Sequence, residues 1–168
     1  MSPYAVGALL VGLALVQTTV MPYAALGEAK PLLPLLAVVS WGLFNGALAA
    51  AWWALGAGLA LDVLSDSPIG TYAVPLVLAS ATVGLVRGRL HPSNLVLPIA
   101  VVAAATVAFT LAQRLLLSLR GDAVSWTASA MAEDIMPAIL LNLLWLPVLY
   151  FPLRAVARAS RPHMDWEA

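Results

Sequence analysis

Long blocks of apolar residues alternate with short clusters of charge, proline and glycine along the whole chain. A transmembrane helix needs about 20 mostly apolar residues. Cutting the chain at its charges, prolines and glycines gives six segments: 4–21, 31–44, 46–64, 68–86, 94–117 and 135–153. The first ends before Pro22, Glu28 and Lys30, and the second is short. Asn45-Gly46 is a turn signal, so residues 31–64 predict a tight helical hairpin. In the fourth segment Ser67 is placed to cap a helix whose first turn holds Pro68, where the missing N–H is no loss; Arg87 and Arg89 close it. A polar loop over 118–134, with a short surface helix around Trp126 and Met131, separates the last two segments.

The pattern therefore predicts an all-α integral membrane protein, one bundle of six transmembrane helices with no second domain. Composition agrees, with 62% hydrophobic and 10% charged residues and a mean hydropathy of +0.95. Soluble domains are about 45–50% apolar and about 25% charged, so the bilayer must be the solvent for this chain. Met1-Ser2-Pro3-Tyr4 lacks the basic region of a secretory signal, and the first segment reads as a retained span. Lys and Arg in short loops gather on the cytoplasmic side. With the amino terminus inside, Arg87, Arg89, Arg154, Arg158 and Arg161 fall inside, and only Lys30 and Arg120 outside, so both termini are expected in the cytoplasm. The arginines of the tail also suit anionic lipid.

Charge and chemistry exclude several classes. Eight basic and eight acidic residues balance to zero, which gives no reason to expect nucleic acid as a partner. There is no cysteine, and His91 and His163 are too few for a metal cluster. No phosphate-cradling glycine loop and no nucleophile with a base is present, so the expectation is a protein that is not an enzyme and needs no cofactor.

Gly46, Ala50, Ala54, Gly58 and Asp62 recur every fourth residue and line one stripe of the third helix. Helices in lipid associate through close backbone approach, so such a stripe marks a contact face, either inside this bundle or toward a partner protein. Ser80, Gly84 and Gly88 form a second stripe, and Ala8 with Gly12 a shorter one. Asp62 is the carboxylate expected within the membrane, which makes it a functional candidate. It also lies about one turn before Ser65-Asp66-Ser67 and near the outer interface, where it can bond the following loop. Arg114 approaches the same side, and an Asp62–Arg114 pair is expected. Glu133 and Asp134 are expected to cap the sixth helix, and Asn142 to bind another helix by hydrogen bonding. Trp126 and Trp166 suit an interface, and Trp52-Trp53 is expected to face lipid or a partner.

The stretch Gly58-Leu-Ala-Leu-Asp62-Val-Leu-Ser65-Asp-Ser-Pro68-Ile-Gly70 resembles the signature of the rod shape-determining protein MreD family, in which an apolar span ends in glycine, aspartate, a serine or proline turn, and glycine. Pro137, Asn142, Pro147, Tyr150 and Arg154 look like that family's last span. The resemblance implies a non-enzymatic scaffold of the bacterial cell-elongation machinery in the inner membrane. It would bind an MreC-like membrane protein, with the MreB filament and peptidoglycan synthases in a larger complex. The partner-binding face expected on this reading is Gly46, Ala50, Ala54 and Gly58, its outer end shaped by Asp62, Ser65, Pro68 and Gly70. The family also resembles, in its six-span layout, the substrate-binding subunits of energy-coupling-factor vitamin transporters, which gives the alternative function. Outer loops with few aromatic and polar groups beyond Trp126 and Glu133 favour the scaffold.

Overall fold

The apolar segments condense into six α-helices among the described residues, which in this computed structural model are 3–25, 29–65, 67–87 and 96–159. They are α1 (Pro3–Thr19), α2 (Leu33–Asn45), α3 (Ala47–Leu64), α4 (Ala73–Arg87), α5 (Val96–Leu119) and α6 (Ala128–Ala159), with a 3-10 turn over Met21–Ala24. Glu28, Asp66, Gly88, Arg89, His91, Arg161, His163, Trp166 and the side chain of Arg87 lie outside the described residues.

The second helix is the pillar of the bundle. Every residue from Leu33 to Gly42 is buried, as expected of a helix that is apolar all round. It touches each of the other five helices, while α1, α3, α4, α5 and α6 follow one another around it. That ring is open between α1 and α6, which share no contact. The expected hairpin is present: α2 ends at Asn45, α3 begins at Ala47, and Gly46 between them has φ 104°.

Close approach fixes the α3–α4 contact. A methyl group at Gly58 would lie 2.8 Å from the Ala73 amide nitrogen and 2.9 Å from its Cβ, so only glycine lets the start of α4 rest on α3. Lower down, Gly42 of α2 faces Ala50 of α3 and Val83 of α4. Trp41 and Trp53 stack with ring centroids 4.5 Å apart. The two adjacent tryptophans therefore part company, Trp53 into the core and Trp52 exposed.

Two boundaries differ from the sequence expectation. The fourth helix begins at Ala73, not at Pro68. Ser67 does not cap it, and Pro68 lies in a turn whose carbonyl accepts the Thr71 N–H and hydroxyl. Gly70 in this turn has φ 95°, a left-handed conformation that ends any helical run. The sixth helix begins at Ala128 and runs unbroken for 32 residues, so the loop over 118–134 shrinks to the few residues after Leu119 and there is no separate surface helix. Ala-rich sequence from Ala128 to Ala132 propagates helix well in spite of its polarity. Three helices, α3, α5 and α6, are long and apolar enough to cross a membrane; α1, α2 and α4 are shorter apolar helices.

Candidate functional site: a cleft above the short central helix

The central helix is too short for its neighbours. Its 13 residues rise about 20 Å, whereas the 24 residues of α5 rise about 36 Å. The column above its amino terminus is left as a cleft of about 300 Å³, lined by Gln17 of α1, Lys30 and Leu32 of the incoming chain, Tyr72, Thr106 to Gln113 along one side of α5, and Asp134, Ala138 and Asn142 along α6.

Its floor is built from side-chain amides. The first N–H groups of any helix lack partners within it, and here the side chains of other helices supply them. Leu32 N–H donates to Asn142 Oδ1 at 2.7 Å and Leu33 N–H to Gln17 Oε1 at 2.9 Å. Gln17 Nε2 donates in turn to the Pro31 carbonyl at 2.9 Å, and Asn142 Nδ2 to Thr106 Oγ1 at 2.9 Å. Asn142 thus binds α6 to α2 and α5, as its sequence position suggested. Gln17 was not singled out, although a lone amide at the end of an apolar span is the same signal.

Asp62 shapes one wall. Its carboxylate is buried and accepts the Gly70 N–H at 2.7 Å, the Tyr72 N–H at 2.7 Å and, at 3.4 Å, the Ala73 N–H. A carboxylate from α3 therefore caps α4, where the helix dipole favours negative charge. This is the bond to the following loop that its position allowed, and it also seats Tyr72, whose ring stacks on Phe109 of α5 at 6.5 Å.

The expected Asp62–Arg114 pair does not form. Arg114 is paired with Asp134 through two guanidinium nitrogens. It also donates to the carbonyls of Ser125 and, at 3.0 Å, Ala130. Nor do Glu133 and Asp134 cap the sixth helix, because that helix starts at Ala128, more than a turn before them. Arg120 reaches the Thr71 hydroxyl and the Ile69 carbonyl, tying the end of α5 to the Asp62 turn.

The stripe expected to meet a partner is closed by this chain itself. Ala50, Ala54, Gly58 and Asp62 are all buried, Ala50 against Gly42 and Gly58 against Ala73. Gly46 joins two helices, the Ser65 hydroxyl donates to the Leu61 carbonyl at the end of α3, and Gly70 and exposed Pro68 form the turn. Ala50, Ala54 and Gly58 therefore pack inside the bundle, while Gly46, Ser65 and Gly70 stay half-buried at its ends. In the second stripe Ser80 is buried, whereas Gly84 is exposed beside Ala47.

A family model for rod shape-determining protein MreD matches residues 2–159, nearly the whole chain. This chain belongs to the MreD family. None of the curated proteins and none of the solved structures matches it. Membership gives the chain a role in rod shape determination. In the structure, Asp62 holds the α3–α4 turn and through it one wall of the cleft.

Proposed function

We propose that this MreD-family chain is a multi-pass protein of the bacterial cytoplasmic membrane, with six spans and both termini inside, that binds an MreC-like membrane protein. It acts by positioning rather than by chemistry, and it helps organise the MreB filament and cell-wall synthases around that partner. The observation that carries this reading is the cleft. Exposed Lys30 and half-buried Thr110, Gln113 and Tyr72 line it with side-chain polar groups that make no hydrogen bond to the described residues and so are free to meet a ligand. An ammonium group, an amide and two hydroxyls supply donors and acceptors that suit the backbone and polar side chains of a peptide segment, and the cleft is a polar concavity able to receive one. Arg154 and Arg158 lie at the far end of α6, so the positive-inside rule puts the cleft on the outer side, next to the membrane-proximal part of a partner anchored by one helix.

The transporter alternative would use the same cleft for a vitamin; membership of a shape-determining family favours the peptide segment. The test is affinity for the MreC-like partner in mild detergent. Gln113→Leu with Lys30→Ala should weaken it about tenfold, the equivalent of about 1.4 kcal/mol and one or two hydrogen bonds. Leu48→Ala, on the exposed side of α3, should leave it unchanged. Equal retention of the partner by all three proteins would reject the cleft as its site.

A further inference from the structure

The outer third of α6 is attached differently from the rest of the molecule. None of the residues from Ala128 to Leu140 is fully buried. The first buried residue of α6 is Leu141, thirteen positions after the helix begins at Ala128. Between them lies Pro137, the first of three prolines inside this helix, which has no N–H to offer the Glu133 carbonyl, so one rung of the ladder is missing just after Asp134. Before Pro137 the residues that face the bundle, Ala130, Met131, Asp134 and Ile135, are only half-buried. Arg114 of α5 ties this stretch down through the carboxylate of Asp134 and the carbonyls of Ala130 and Ser125.

Asp134 and Ala138 are also the α6 wall of the cleft. The ring of helices is open between α1 and α6, which have no Cα atoms within 8 Å of each other. An outward swing of this segment would break the Arg114 bonds.

We infer that Arg114 and Asp134 form a latch that sets the width of the cleft, with Pro137 as the hinge and the first turns of α6 as the moving wall. The inference rests on the cleft being the partner's site, which it deepens by naming how access is controlled. With the latch closed, α6 stands against α5 and the cleft has the size seen here. With it open, the segment before Pro137 tilts away, and a partner segment too bulky for the closed cleft can enter or leave. A nine-residue lever rises about 14 Å, and a tilt of about 20° moves its tip by about 5 Å. Arg114 is a positioning residue here, since it reaches the cleft only through Asp134.

The absence of cysteine makes the test direct. Spin labels at Tyr23→Cys and Ala132→Cys, both exposed, report the distance across the open side of the ring in the full-length protein in nanodiscs without partner. The parent should give one narrow distribution. Arg114→Gln and Asp134→Asn should each shift or broaden it by about 5 Å, and the swap Arg114→Asp with Asp134→Arg should restore it. A second pair, Leu48→Cys and Leu85→Cys on α3 and α4, should not change, which separates an opened latch from an unfolded bundle. Unaltered distances across the ring in both single variants would overturn the latch, whatever the partner does. If the distances change and the partner's affinity does not, the latch's control of the partner is overturned, while the cleft itself is judged separately by the Gln113→Leu with Lys30→Ala protein.

Discussion

Asp62→Asn tests the reasoning about the family signature most sharply. The carboxylate is 3% exposed and accepts two backbone N–H groups, of Gly70 and Tyr72, at 2.7 Å each. Asparagine in the same rotamer keeps one acceptor oxygen and turns an NH₂ toward the other N–H, so one bond is lost and the second falls from charge-assisted to neutral. Hydrogen bonds to charged groups contribute about 1.5–3 kcal/mol and neutral ones about 0.5–1.5 kcal/mol. The gross loss is about 2–4 kcal/mol, and relief from burying a charge offsets part of it. A net destabilisation of about 2–3 kcal/mol is expected, a change of about 30- to 150-fold in the unfolding constant. Titration of the protein out of mild-detergent micelles with a denaturing detergent gives that constant, and hydrogen exchange at Gly70 and Tyr72 reports the two amides separately. Both amides should lose protection while those of α2 keep theirs. A variant within about 0.5 kcal/mol of the parent with both amides still protected would mean that the carboxylate is not what holds the turn.

Two further substitutions probe the packing that positions the cleft. Gly58→Ala places a methyl group 2.8 Å from the Ala73 amide, and because a backbone atom cannot step aside cheaply the bundle should lose about 1–3 kcal/mol, read by the same titration; an unchanged midpoint would show that α4 does not rest on Gly58. Asn142→Leu leaves the buried Leu32 N–H without its acceptor and should destabilise by about 1–3 kcal/mol, with faster exchange at Leu32; if that amide stays protected, another group is capping α2.

Much of this was readable from residues alone, for definite reasons. The end of α2 and the start of α3 follow from Asn45-Gly46, and Asn142 had to find a partner because an amide in an apolar setting has no water to use. The start of α4 was missed because Pro68 looks like a first-turn proline, whereas the capping group comes from Asp62 on the preceding helix, a contact that local sequence does not encode. The start of α6 was missed because serine, threonine and acidic residues made 125–134 look like a loop; the Ala-rich run from Ala128 carried the opposite signal. Arg114 was matched with the wrong carboxylate because depth along a helix says nothing about which face it looks from. Small residues such as Ala50 and Gly58 say only that something comes close; in the structure Ala50 meets α2 and Gly58 meets α4.

The brevity of α2 and α4 has a consequence beyond leaving room for the cleft. A hydrocarbon layer is about 30 Å thick, and helices of 13 and 15 residues rise only about 20 and 23 Å. In the proposed six-span arrangement the chain that leads into each of them, 29–32 and 67–72, runs as irregular backbone below the headgroups. Such backbone survives in lipid only where protein satisfies every amide, and this is the service that Gln17, Asn142 and Asp62 perform. The floor of the cleft then lies beneath the water boundary, in a region that a freely diffusing protein does not reach. On the proposed reading, a partner already tethered in the membrane holds its neighbouring segment at that depth, so the recess favours anchored partners before any side chain is read.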